Sequence, residues 1–270
     1  MINDVARAFF EAKATRAVCV ELPCESLTEE DRKNDMVGVL NMSLYGTRDA
    51  AMNWQEEVAK KMIKWGFERG KYNSCLYWHK RWNIQTLVHG DDFVSVGNRE
   101  HIHSLKRKLE NRFEIKTTIV GDDSEEHREG RVLNRVIRIT ENGWEYEPDQ
   151  RHAEIIIKQM GLKAGSAGVA TPSVKRVVKD EKEEDLEELE DQMASMYRGL
   201  VARANYLAQD RSDIKYAVKE LSRRMAKPRQ LDMVGMKRLA RYLIGCPRAV
   251  SVFQRQSLQK WIVGWSDSDW

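Results

Sequence analysis

The stretch Leu87-Val88-His89-Gly90-Asp91-Asp92-Phe93-Val94-Ser95-Val96-Gly97 constrains what this chain can fold into more than any other. Two apolar, β-branched runs flank a Gly-Asp-Asp corner, which is the pattern of a tight β-hairpin with carboxylates at its tip. Just before it, Trp82, Ile84, Thr86 and Val88 alternate onto one face of a strand over residues 82–89. Just after it, Ile102, Leu105, Leu109 and Phe113 recur at helical spacing and give a helix able to cover that face. Adjacent acids at such a corner repel each other, and a hard divalent cation relieves the repulsion. Taken alone, Gly and Asp are also ordinary residues of a solvated turn.

The rest of the chain supplies the remaining elements. Residues 5–10 and 18–22 read as short strands, the second ended by Pro23, and residues 37–44 as a strand or the approach to a Tyr45-Gly46 turn. Ala51, Trp54, Val58, Met62 and Trp65 mark a helix stopped by Gly66. A strand over 75–78 precedes the one that leads into the acidic corner. Residues 121–130 form an acidic, turn-like insertion, and residues 132–140 and 144–147 a second hairpin around Glu141-Asn142-Gly143. A helix over 151–160 ends at Gly161, and three more are expected over 193–209, 213–225 and 233–243. The expected class is α+β, a small antiparallel sheet that carries the acids with helices packed behind it.

Charge is unevenly spread. The formal net charge is +3, yet Lys179 to Asp191 holds nine acids against two lysines, and Met196 to Lys260 holds fifteen Lys or Arg against four Asp or Glu. The acidic run reads as a tether, and the basic third suits a polyanionic partner. Lys215, Lys219 and Arg223 recur every four residues on one helix face, with Val218, Leu221 and Met225 on another. No apolar run approaches the ~20 residues of a membrane span. No secretory signal is visible at Met1-Ile2-Asn3-Asp4. Cys19, Cys24, Cys75 and Cys246 show neither a C-x-x-C pair nor a disulfide framework, so reduced thiols and a cytoplasmic or nuclear setting are expected.

Three blocks then fall in order: Asp4-Val5-Ala6-Arg7-Ala8-Phe9, Ser43-Leu44-Tyr45-Gly46-Thr47-Arg48-Asp49-Ala50-Ala51-Met52-Asn53-Trp54, and the Asp91-Asp92 corner. Together they resemble the reverse transcriptase of copia-type LTR retrotransposons, which writes them D-V-x-x-A-F, S-L-Y-G-L-x-Q-A-x-x-x-W and Y-V-D-D. The segments Tyr197-Arg198-Gly199-Leu200-Val201, Asp210 to Val218 and Gly264 to Trp270 are similar to later parts of the same polyprotein. The resemblance implies an RNA-directed DNA polymerase palm in which Asp4, Asp91 and Asp92 are catalytic and ligate two Mg²⁺ ions, with Mn²⁺ as a substitute, Asp4 and Asp91 bridging and Asp92 more peripheral. It also implies that Phe9, Tyr45 and Gly46 line the deoxynucleoside triphosphate, that Leu133 and Asn134 belong to a hairpin at the primer end, and that Arg48, Lys215, Lys219 and Arg223 contact an RNA or DNA template-primer.

The implied organisation is a palm and start of thumb over 1–164, a flexible acidic linker over 165–192, a basic helical connection over 193–258 and the first strand of a ribonuclease H domain over 259–270, with Asp267 as its first acid. Two departures stand against the family pattern. His89-Gly90 replaces the Tyr-Val that precedes the paired acids, and neither the fingers before the Asp4 block nor the remaining ribonuclease H acids are expected in the chain. The isolated polypeptide is therefore expected to be weak or inactive. The alternative is a non-catalytic nucleic-acid-binding remnant of a retroelement, with its basic helices kept and its metal site vestigial.

Overall fold

The computed structural model describes residues 1–163, 165–174, 186–257, 261, 263, 264 and 266. They form two compact units, Met1–Val132 and Leu133–Trp270. Residues 175–185, which include the first part of the acidic run, and most of the closing Gly264–Trp270 block, including Asp267, lie outside the described residues.

In the first unit β1 (Ile2–Val5) runs into a 3₁₀ turn at Ala8–Glu11. There follow β2 (Cys19–Val20), α1 (Glu29–Lys33), β3 (Gly38–Val39) and α2 (Ala50–Lys64). Then come β4 (Glu68–Arg69), β5 (Leu76–His79), β6 (Ile84–His89), β7 (Asp92–Val96), α3 (Arg99–Glu110), β8 (Ile115–Thr118) and β9 (Glu129–Val132). Six of the strands make an antiparallel sheet in the order β4-β5-β6-β7-β1-β8. The first strand is thus inserted between β7 and β8, far along the chain, and this brings Asp4 beside the acidic corner.

The strand expected over residues 5–10 is displaced. Hydrogen bonding to neighbours on both sides places the strand at Ile2–Val5, and Arg7 then takes a left-handed conformation (φ 53°) that turns the chain into the 3₁₀ turn. Strand pairing overrides the apolar look of residues 5–10.

The alternation in the sequence decides which face of the sheet is covered. Val5, Ile84, Val88 and Phe93 are buried and pack with Trp54, Val58 and Met62 of α2 and Ile102, Leu105 and Leu109 of α3. Asp4, Gln85 and Trp78 stand exposed on the other face. Arg112, just past α3, ties this layer together: its guanidinium reaches Glu11 at 2.6 Å and Glu57 of α2 at 2.9 Å. The acidic insertion is held by Arg99, which pairs with Asp123 and Glu126.

The second unit contains β10 (Arg135–Thr140), β11 (Gly143–Glu147) and β12 (Ser251–Gln254), successive antiparallel neighbours. Thr140 pairs with Gly143, so the loop of the predicted hairpin is Glu141-Asn142, with Gly143 (φ 141°) opening the return strand. Helices α4 (Arg151–Gln159), α5 (Asp191–Ala208), α6 (Lys215–Ser222) and α7 (Gln230–Gly245) share a core of Tyr197, Leu200, Val201, Ile214, Val218 and Leu239. The expected helix over 213–225 starts as a 3₁₀ turn at Ser212–Ile214 and ends at Ser222. Among the described residues no helix is long and apolar enough to cross a membrane.

The Asp210-Arg211-Ser212-Asp213 segment is a polar knot within this unit. Asp210 accepts from Arg135 at 2.9 Å and from the Tyr146 hydroxyl at 2.7 Å. Arg211, buried at 2% exposure, donates to Asp213 at 2.6 Å, and the Tyr242 hydroxyl donates to the same carboxylate. Each buried charge therefore has a partner, the condition for keeping it in a core.

Candidate active site

Asp4 and Asp92 are direct cross-strand partners in the β1–β7 pairing. Side chains opposite each other in an antiparallel pair share a face with Cβ atoms about 4.5–5.5 Å apart, so the two carboxylates project together from the uncovered face of the sheet. Asp91 occupies the corner between them and β6, and its carbonyl accepts the Val5 backbone N–H at 3.1 Å. Three acids from two distant segments thus meet at one edge of the hairpin. None of the three forms an ion pair or a side-chain hydrogen bond among the described residues. Partial burial, then the Asp91 and Asp4 carboxylates, push the Asp92 carboxyl above its ordinary value, while His89, its partner across the hairpin, acts in the opposite direction. On the far side of Asp4 the register places Lys116 of β8.

The corner owes its shape to two residues. His89 pairs with Asp92, leaving Gly90-Asp91 as a two-residue loop, and Gly90 takes φ 63° with open space around it. That is the conformation glycine adopts at the first central position of a tight hairpin. The Gly90 carbonyl then accepts a hydrogen bond from the indole Nε1 of Trp54 at 2.7 Å. Trp54 is 1% exposed and stands edge-on to Phe113 and Phe93. The helix under the sheet therefore holds the corner from below.

Phe9 and Tyr45, from two other blocks, meet with ring centroids 4.4 Å apart, and Phe10 meets Tyr45 edge-on at 5.6 Å. The loop bearing Tyr45 and Gly46 is anchored by Ser43, whose hydroxyl accepts from Asn53 at 3.0 Å. Asn53 and Thr15 also reach Asp49, which pairs with Arg16 at 3.1 Å. Burial pushes the Asp49 carboxyl up, but its own backbone amide and Arg16 hold it below its ordinary value. Gly46 takes φ 89°, so the glycine meets a backbone requirement there. Arg48 is exposed. Lys215, Lys219 and Arg223 belong to the second unit, at or just past α6, and all three are exposed. Leu133 and Asn134 take left-handed conformations at the start of that unit.

For a divalent cation the fit divides into charge and geometry. Three carboxylates without a cationic partner, one of them held toward its protonated form by the others, are a donor set that a hard cation would stabilise. Yet among the described residues no group of three His, Cys, Asp or Glu stands in ligand geometry around one point. The backbone brings the acids together, while their side chains do not close on a common centre.

Residues 2–124 match the family model for reverse transcriptase (RNA-dependent DNA polymerase). The matched span runs through β1, the Tyr45 loop and the acidic hairpin. Beyond the matched span the similarity continues: the chain is 27% identical over 272 residues to the retrovirus-related Pol polyprotein from transposon RE1 of Arabidopsis thaliana, and 25% identical over 275 residues to that from transposon RE2. Both alignments cover 99% of this chain and 17% of the relative's length. The resemblance to copia-type polyproteins thus extends through the second unit as well.

Sequence reasoning placed Trp54 on a helix face and assigned no role to Ser43, Asn53 or Lys116. Ser43, Asn53 and Trp54 lie inside the second block, so the signal was present as spacing. Lys116 is signalled by nothing local, because strand register alone sets it beside Asp4.

Proposed function

We propose that the chain is the palm portion of an RNA-directed DNA polymerase, with the second unit serving as thumb and connection. The observation that carries this reading is the register that sets Asp4 of β1 opposite Asp92 and beside the Asp91 corner. Asp4, Asp91 and Asp92 would hold two Mg²⁺ ions, which supply the charge needed to activate a primer hydroxyl and to hold the triphosphate and departing pyrophosphate. The chain's own residues do the positioning. The Trp54 indole fixes the corner, and the Ser43–Asn53–Asp49 network fixes the loop bearing Tyr45.

The Phe9–Tyr45 ring pair is the aromatic surface on which the sugar and base of an incoming deoxynucleotide would rest. Template-primer binding falls to Arg48 and to Lys215, Lys219 and Arg223 through phosphate contacts that carry no sequence choice.

The experiment is extension of a DNA primer on an RNA template by the full chain in Mg²⁺ or Mn²⁺. Metal-dependent extension that Asp91→Asn abolishes, with the fold intact, supports the reading. Undiminished extension by that variant sinks it. A second reading, a nucleic-acid-binding remnant without chemistry, is favoured by the carboxylates' failure to close on one centre. It predicts binding of the template-primer and no extension.

A further inference from the structure

A pocket of about 580 Å³ lies wholly within the second unit, between α6, α7 and residues 172–174. Its lining combines an apolar floor that includes Leu221 with Tyr216, Glu220, Arg223, Arg224 and Arg238. The single carboxylate among these is already engaged: Glu220 lies 3.4 Å from Arg223 and 3.7 Å from Lys219. That leaves Arg224, exposed and without an ion pair among the described residues, and Arg238, which spends one terminal nitrogen on the Thr171 hydroxyl at 2.8 Å. The Arg238 Nε is buried and has no hydrogen-bond partner among the described residues. The Arg224 and Arg238 side chains both line the pocket, and an anion is the ligand that suits two guanidinium groups there. The Tyr216 ring, 65% exposed, stands at the same opening with the Lys219 ammonium 5.4 Å from its centroid.

We propose that this pocket binds a nucleoside phosphate unit, with Arg224 and Arg238 taking the phosphate and the Tyr216 ring stacking the base. An aromatic face beside uncompensated guanidinium groups is the arrangement that holds single-stranded nucleic acid without reading its sequence. The pocket is large enough for one nucleotide. The inference deepens the template-binding role given above to the second unit and rests on that role, but it needs neither metal nor polymerase chemistry.

The test measures fluorescence anisotropy of a labelled oligothymidylate against the full chain in EDTA, across a series of salt concentrations, with thymidine monophosphate and inorganic phosphate as competitors. Arg224→Ala combined with Arg238→Ala is expected to weaken binding at least tenfold and to flatten the salt dependence by about 1.4 in log–log slope, two phosphate contacts at roughly 0.7 each. Tyr216→Ala is expected to weaken binding at least about fivefold with the salt slope unchanged. Arg224 and Tyr216 are exposed, so Arg224→Ala alone and Tyr216→Ala report on binding even if Arg238→Ala disturbs the fold. Competition by thymidine monophosphate assigns the pocket to free nucleotides, and competition by longer strands alone assigns it to a nucleic-acid chain. Wild-type affinity and salt slope in the Arg224 and Tyr216 variants would overturn the proposal. Asp91→Asn is expected to bind as wild type here, which separates failure of the pocket from failure of the polymerase reading.

Discussion

The indole Nε1 of Trp54 donates to the carbonyl oxygen of Gly90 across 2.7 Å, tying a buried helix residue to the corner that carries Asp91. Trp54→Phe keeps most of the ring packing and deletes the donor. Stability should fall by about 1 kcal/mol, read as a lower urea midpoint with unchanged slope. An unchanged midpoint would show that the hydrogen bond contributes nothing to holding the corner.

Gly90 stands where the copia-type pattern has Val, and it takes φ 63°. A β-branched side chain in the left-handed region is strained by on the order of 1–3 kcal/mol. Gly90→Val, although it restores the family residue, should therefore lower the unfolding midpoint. A variant as stable as the parent would mean that the corner readily adopts another turn.

Much of this fold is legible in the sequence because it rests on local periodicity. The alternation Ile84-Thr86-Val88 gives the covered face of β6, and Ile102, Leu105 and Leu109 give the helix that covers it. What stays hidden is set by partners far along the chain. Ile2–Val5 has no apolar alternation, and its central position follows only from pairing with β7 and β8. The left-handed Arg7 has no signal in its neighbours. The Asp210–Asp213 knot can be recognised as a family block, but its stabilising partners Arg135, Tyr146 and Tyr242 lie 29 to 75 residues away. The three acids could be picked out from their blocks, whereas the pairing of Asp4 with Asp92 belongs to strand register.

Asp92 stabilises the fold least when it is ionised. Its folded-state pKa is raised, so the native chain holds this proton more tightly than the unfolded chain does. Its ionisation costs stability above the folded pKa, and that cost disappears as pH falls toward the ordinary carboxylate range. Asp92→Asn should therefore raise stability at pH 7, with the gain shrinking as pH is lowered. Thermal melts of both proteins from pH 7 to pH 3 check this, and a destabilised variant at pH 7 would show that the acids are not repelling one another.

Glu147 behaves in the opposite sense. Hydrogen bonds from Arg248 and Arg138, against the cost of burial, hold its carboxyl at about 2. The stability it contributes is present above the unfolded value near 4.5 and is lost as pH falls toward 2, on the order of 2–3 kcal/mol in all. Glu147→Gln should lower stability at pH 7 and flatten its decline between pH 5 and pH 2. Parallel pH profiles for variant and parent would contradict that assignment.

The account turns on whether the three acids draw in a divalent cation, and titration of the full chain with Mn²⁺, followed by electron paramagnetic resonance, tests this most directly. Saturable Mn²⁺ binding that Asp4→Asn and Asp91→Asn each weaken at least tenfold, and that weakens as pH falls through the Asp92 pKa, is the predicted result. Binding that is the same in all three proteins, or absent from the parent, would contradict it.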